Sequence, residues 1–167
     1  MAGTVAHHGF ELGSGVGLVF QPQLGLSRAA GAWLLQFGGW AFLSRRGQWA
    51  EPVLAALNGA CLSGVLVHFI LWPWRRGPGG LPLLREAEGL TARQLPAYNT
   101  ILWFWATMAG GALVFETPRR ARRWSLVGIL TLPVFVVSAR HHFEWVTEQA
   151  LDRPSWWNRA LRSAAHV

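Results

Sequence analysis

The strongest constraint in this sequence is a set of long apolar stretches that carry almost no charge. Four of them occupy residues 29–44, 52–74, 97–116 and 124–139, and the only charged residue in these stretches is Glu116. A helix needs about 20 mainly apolar residues to cross the ~30 Å hydrocarbon layer of a bilayer. The sequence therefore predicts an all-α integral membrane protein, with a bundle of about four transmembrane helices in a single transmembrane domain.

Composition agrees with this fold class. Only 14% of the residues are charged, whereas soluble domains carry about 25%. The single domain covers residues 1–167, and its expected location is the cell membrane, as a multi-pass protein.

The segments between and beyond the predicted spans have their own patterns. Residues 10–28 are rich in glycine and moderately apolar, which predicts an interfacial or re-entrant segment. Residues 75–96 form a loop with a short amphipathic piece around 83–90. Residues 140–167 place aromatic and arginine residues on opposite faces, so they predict an amphipathic, interfacial C-terminal tail. Pro133 is expected to kink the fourth span.

Charge and cysteine content exclude several classes of protein. The net charge is +7, but the arginines flank apolar spans, where they meet lipid headgroups and set topology. Membrane lipids are therefore the expected partners, and nucleic acid is not. The single Cys61 excludes an intrachain disulfide and a CxxC motif.

Small residues recur at helical spacing in the third span. Ala106 with Gly110, and Thr107 with Gly111, form small-xxx-small pairs that allow close helix approach. These faces are candidates for packing within the bundle and for homo- or hetero-oligomer contacts.

The histidine, glutamate, tyrosine and asparagine residues are expected to gather at one end of the bundle if the number of spans is even. In that case both termini lie on one side of the membrane. We call the end of the bundle with the 75–96 loop side A, and the end with the 45–51 and 117–123 loops side B. The residues expected at side A are His7, His8, Glu11, His68, Tyr98, Asn99, His141, His142 and Glu144.

Two short clusters in this set have a similar form. His7-His8-Gly-Phe-Glu11 and His141-His142-Phe-Glu144 each offer two imidazoles and a carboxylate, which serve in acid/base catalysis and as metal ligands. Neither cluster has the spacing of HExxH or of a di-iron helix bundle. The sequence therefore predicts no metal or cofactor, and its simplest interpretation is contact with headgroups and water. As catalytic residues we select Glu11, His68, His142 and Glu144.

Aromatic residues suggest the substrate class. Trp33, Trp40 and Trp103, with Tyr98 and Asn99, are the expected substrate-binding residues of an apolar intramembrane cavity. Aromatic faces stabilise passing cations, and a protonated carboxylic acid can start carbocation chemistry. These residues indicate an enzyme for a lipophilic small-molecule substrate, such as an isoprenoid or terpenoid, acting as a terpene cyclase or isomerase.

Two other functions fit the same residues. The first alternative is a non-enzymatic subunit or assembly factor of a larger membrane complex. The polar residues at side A would then form the interface with its partner. The weaker alternative is a haem- or metal-binding membrane protein, with His68 and either His141 or His142 as axial ligands.

Overall fold

The fold is mostly helical and all-α apart from one small hairpin. The computed structural model describes residues 1–164 of the chain. Its helices are α1 (Ala2–Ser14), α2 (Gln21–Leu24), α3 (Leu26–Leu43), α4 (Glu51–Leu71), α5 (Leu95–Gly111), α6 (Arg119–Arg122), α7 (Ser125–Ile129), α8 (Leu132–Asp152) and α9 (Arg159–Ala164). A π-helical turn, Ala112–Glu116, extends α5, and the antiparallel strands β1 (Trp74–Arg76) and β2 (Pro82–Leu84) form the hairpin.

Helix α1 is inserted into the bundle and packs against both α4 and α5. It runs antiparallel to α5, because Gly3 lies against Trp105 while Glu11 bonds Tyr98. It runs parallel to α4, because Thr4 lies beside Cys61 and His7 lies beside His68. Met1 is therefore at side B, near Pro118. This corrects the expectation that the N-terminus lies at side A. Residues 10–28 comprise the end of α1, the short α2 and the start of α3. Hydropathy missed α1 because its 13 residues are few and not strongly apolar.

Within residues 1–164, two segments are long and apolar enough to cross a membrane. They are α4, with a mean hydropathy of 1.9, and the run Arg119–Asp152, with a mean hydropathy of 1.4. The other two predicted spans correspond to the helices α3 and α5, which have 18 and 17 residues.

The helical run 119–152 is interrupted before Pro133. Helix α7 ends at Ile129 and α8 begins at Leu132, which puts Pro133 in the first turn of α8, where a missing N–H costs nothing. The hydroxyl of Ser63 donates to the carbonyl oxygens of Gly128 and Ile129 at 3.2 and 3.1 Å. Ser63 thus supplies a donor to the carbonyl of Ile129, because Pro133, four residues later, has no N–H to offer. The carbonyl of Gly128 also accepts from the N–H and the hydroxyl of Thr131.

Glycine residues bring α4 and α7 into backbone contact. A Cβ at Gly59 would collide with the carbonyl oxygen of Ser125, and one at Gly128 would collide with that of Ala56. By contrast, a Cβ at Gly110 or Gly111 would meet no atom within 4 Å. The close approach predicted for α5 is therefore made by α4 and α7, and the small-residue face at Gly110 and Gly111 stays open.

Two peripheral segments differ from their predicted form. The amphipathic piece around 83–90 consists of the strand Pro82–Leu84 and the turn that follows it. The tail does not begin at residue 140, because α8 continues unbroken to Asp152. Helix α9 then packs against the end of α1, where the N–H of Ala160 donates to the carbonyl of Gly15 at 3.1 Å. Residues 165–167 of the predicted tail lie outside the described residues.

Candidate functional site

Helix α1 supplies the first part of a buried polar cluster. His7, His8 and Glu11 project from adjacent turns of α1 and are almost completely shielded from solvent. His7 Nε2 lies 3.1 Å from Glu11 Oε1, and His8 Nδ1 donates to Glu11 Oε2 at 3.2 Å. Both oxygens of this carboxylate therefore face imidazole nitrogens.

Helix α4 adds His68 in a fixed orientation. Its Nδ1 lies 2.7 Å from the carbonyl oxygen of Gly64, one turn earlier. Because a carbonyl oxygen only accepts, Nδ1 carries the proton, and the neutral ring keeps a lone pair on Nε2. That nitrogen faces Glu11 Oε1 at 4.0 Å and Glu88 Oε1 at 3.4 Å. A backbone carbonyl that orients imidazole in this way is the usual second-shell partner of a metal-binding histidine.

Glu88 reaches the cluster from the turn between β2 and α5. Its φ is 49°, which is uncommon for a residue with a side chain, and Gly89 follows with φ 74°. Such a conformation costs free energy and persists only where the surrounding structure enforces it. Glu88 is 3% exposed, so the turn holds a carboxyl group inside the bundle.

Tyr98 and Asn99 complete the surroundings from the start of α5. The Tyr98 hydroxyl donates to Glu11 Oε1 at 2.8 Å. Asn99 accepts from the N–H of Leu84 at 2.7 Å and donates to the carbonyl of Leu84 at 3.2 Å. Asn99 therefore anchors the hairpin from which the chain continues to Glu88.

We expect Asn99→Ala to destabilise the fold by about 2 kcal/mol, because the buried N–H of Leu84 would lose its acceptor. Chemical unfolding followed by circular dichroism measures this loss. Thr100→Ala is the matched control, since the Thr100 hydroxyl bonds Pro96 at an exposed site of the same helix. Equal stability of the two variants would contradict the anchoring role of Asn99.

The two carboxyl groups of the cluster differ in their affinity for protons. Burial raises the pKa of Glu88 well above its usual range, and the neighbouring Glu11 raises it further. Burial also raises the pKa of Glu11, but the charges and hydrogen bonds of His7 and His8 outweigh it and hold the pKa well below its usual range. The pair therefore favours one ionised carboxylate beside one protonated carboxylic acid.

Several atoms of the cluster lack hydrogen-bond partners. His7 Nδ1 and Glu88 Oε2 are buried, and neither has a partner among the described residues. A buried polar atom without a partner costs free energy, so such atoms need an explanation such as an ion or a water molecule.

The ligand atoms form two overlapping groups that we name by their place in the chain. His7, His8 and Glu11 are the N-terminal triad, and Glu11, His68 and Glu88 are the central triad; within each, the ligand atoms lie within 4.8 Å of one another. Metal–ligand bonds of about 2.1 Å in a tetrahedral site put neighbouring ligand atoms ~3.4 Å apart. The spacings of 3.4 and 4.0 Å around His68 Nε2 suit that geometry after small adjustments.

The structure brings together some of the predicted catalytic residues. Glu11 and His68 share the central triad. His142 lies against Phe143, and Glu144 is exposed and lies 3.6 Å from His141, so neither belongs to the two triads. The ring nitrogens of His68 face Gly64, Glu11 and Glu88.

The predicted substrate-binding residues are spread over different sites. Tyr98 bonds Glu11, and Asn99 holds β2. Trp33 lies against His8 with ring centroids 4.1 Å apart and the rings tilted by 44°, while Trp103 donates to the carbonyl of Pro82 at 2.9 Å. Trp40 lines a separate cavity toward side B, which Cys61 also lines.

Sequence reasoning missed Glu88, and it did not select His7 or His8 as site residues. A carboxylate between Ala87 and Gly89, in a segment with several leucines, is a weak signal, because most acidic residues in loops face solvent. The sequence groups His7 and His8 with Glu11. Their arrangement as metal ligands becomes clear only in the fold, which brings His68 and Glu88 beside Glu11. Comparison of the chain with protein-family models, curated proteins and solved structures gave no match, so its function rests on the geometry of this cluster.

Proposed function

We propose that this protein is an integral membrane metalloprotein whose helical bundle holds a transition-metal centre with Glu11 as the shared ligand. The observation that carries the proposal is the pair of overlapping triads, which concentrate three imidazoles and two carboxyl groups in a buried site. Buried ionisable groups at this density need either mutual pairing or a metal ion. A divalent cation balances both carboxylates and uses the free Nε2 lone pair of His68.

The outer surface supports the membrane part of this proposal. Large apolar side chains stand fully exposed on several helices; Phe115, Leu35 and Leu130 are 87%, 80% and 76% exposed. Soluble monomers rarely expose large contiguous apolar patches. Lipid contact explains these side chains, and we propose four membrane-crossing segments, α3, α4, α5 and the 119–152 run, around the shorter α1.

The donor set favours particular metals. Imidazole suits zinc, iron, copper and nickel, whereas carboxylate extends the range to manganese. Soft thiolate ligands are missing from both triads, since Cys61 lies apart beside Thr4. We therefore propose iron, zinc or manganese rather than copper(I), and we propose that the bound ion serves as a Lewis acid or redox centre of an enzyme.

Metal analysis tests this proposal directly. Protein expressed in medium supplemented with iron, zinc or manganese, and purified in lipid nanodiscs, is expected to retain about one ion per chain or more. Removing the ion with a chelator should lower the thermal unfolding temperature, because an ion that binds only the folded state stabilises it by about 4 kcal/mol at a thousandfold excess over Kd. Only trace metal under all three supplements would contradict the metal centre.

A metal-free acid/base enzyme is the second candidate. One observation favours it: a protonated Glu88 beside an ionised Glu11 is an acid and a base in one buried site. That arrangement keeps the isoprenoid cyclase or isomerase as a proposal, with Glu88 as proton donor. Exhaustive chelation distinguishes the two candidates. A metal-free enzyme keeps its full activity after chelation, and a metalloenzyme loses its activity.

A further inference from the structure

The cavity lined by Trp40 and Cys61 lies toward side B, between the first turn of α1 and the helices α3, α4 and α5. Its volume is about 300 Å³, at the lower end of the range for small-molecule sites, about 300–1,000 Å³. Its apolar lining includes Trp40, Leu54, Cys61, Trp105, Met108 and Ala109. Asn58 and Cys61 of α4 line this cavity, while His68, farther along the same helix, belongs to the central triad.

Trp105 is the residue that connects this cavity to the cluster. Its indole lines the cavity and also stacks on His7, with ring centroids 4.8 Å apart. Two glycines make room for it: a Cβ at Gly3 or Gly64 would lie within 3.0 Å of Trp105 atoms. The glycines of α1 and α4 therefore leave the space that this indole occupies.

The indole N–H of Trp105 has no acceptor among the described residues, although the residue is only 6% exposed. A buried indole normally finds a hydrogen-bond partner. Trp105 lines the cavity, so a small shift of its ring would bring this buried donor to an oxygen acceptor on a bound ligand.

The charges at the cavity restrict the ligand further. Glu51 and Glu116 both line it, and the only cation bonded to Glu51 in residues 1–164 is Arg120, which lies 3.0 Å away and is largely exposed. Arg120 neutralises Glu51, so Glu116 is the lining carboxylate without an ion pair among residues 1–164. An unpaired carboxylate disfavours anionic ligands such as fatty acids and prenyl diphosphates. The lining thus suits a neutral molecule with an apolar body.

We infer that this cavity binds a neutral, isoprenoid-sized lipid whose hydroxyl or carbonyl oxygen accepts the hydrogen bond of Trp105. The inference adds a ligand site to the proposed metal centre and does not require the metal for binding. It also places the ligand next to the indole that stacks on His7, so one side chain contacts both the lipid and the cluster.

Three probes with the same prenyl chain test the inference in nanodiscs. Farnesol is neutral and carries an acceptor, farnesyl phosphate is anionic, and farnesane has no oxygen. Cys61 lines the cavity and is the sole cysteine of the chain, so its alkylation rate by N-ethylmaleimide reports occupancy. We expect farnesol to slow alkylation at least fivefold and the other two probes to have little effect. Equal protection by all three, or protection by none, would overturn the inference.

Two variants test whether Trp105 donates the hydrogen bond to farnesol and whether farnesol occupies the cavity. Trp105→Phe should weaken farnesol binding about fivefold, as expected for one neutral hydrogen bond. Trp124→Phe is the matched control, since Trp124 is partly exposed and does not line the cavity. Ala109→Phe should fill the cavity and remove the rise in unfolding temperature that farnesol produces in the wild-type protein.

The outcomes separate this inference from the metal centre. The same measurements on chelator-treated protein should give the same farnesol affinity. Unchanged farnesol affinity in Trp105→Phe, or an unchanged farnesol effect in Ala109→Phe, would overturn the ligand site while leaving the metal analysis intact.

Discussion

Glu11→Gln is expected to remove the metal from the protein, with a loss of affinity of about a hundredfold or more. Glu11 is the one residue common to both triads, so the change affects every ligand group of the cluster. An amide offers a neutral oxygen in place of a carboxylate, and even second-shell changes cost about 10–100-fold in metal affinity. Metal content of the purified variant, and its affinity for cobalt(II) followed by visible absorption, measure the effect.

Glu144→Gln is the control for this change. It makes the same chemical substitution at an exposed carboxylate that also lies beside a histidine, His141. The control should bind metal like the wild-type protein. A Glu11→Gln variant that retains wild-type metal content, with the fold intact by circular dichroism, would rule out the proposed centre.

Gly128→Val should have the largest effect on stability, with a loss of about 3 kcal/mol or more. The new side chain would strike the backbone of α4 at Ala56 and Ala60, which cannot move aside as a flexible side chain can. Overpacking a well-packed contact typically costs about 1–3 kcal/mol, and occasionally more. Thermal and denaturant unfolding in nanodiscs measure the loss.

A graded series sharpens this test. Gly128→Ala should give a smaller loss than valine, because less volume is forced against α4. Gly31→Val in α3 is the control, since a Cβ at Gly31 meets no atom within 4 Å. If Gly128→Val were as stable as Gly31→Val, the close contact between α4 and α7 would be wrong.

Hydropathy identified the helical regions because it is a local property. The charge-free residues 52–74 contain most of α4, and residues 97–116 contain most of α5 with its π-turn. The interruption near Pro133 was also predictable, because the missing N–H and the rigid ring of proline disrupt a helix wherever it occurs. These features require no knowledge of tertiary contacts.

The site depends on contacts that hydropathy does not report. His68 was selected because an ionisable residue in an apolar span needs a partner, and Glu11 because of its histidine neighbours. Glu88 reaches the bundle only through an unusual backbone conformation in a turn. Likewise, the position of the Trp105 indole depends on Gly3 and Gly64, which lie far from it in the sequence and make room for it in the fold.

The position of α1 has a consequence for how the protein is made. This helix precedes its partners in the chain, because the residues that surround it, from Cys61 to Trp105, are synthesised 50 to 100 residues later. Alone it is too short to span a bilayer. Its docking therefore follows the synthesis of α4 and α5, and the polar cluster forms only after Glu88 and Tyr98 have been made.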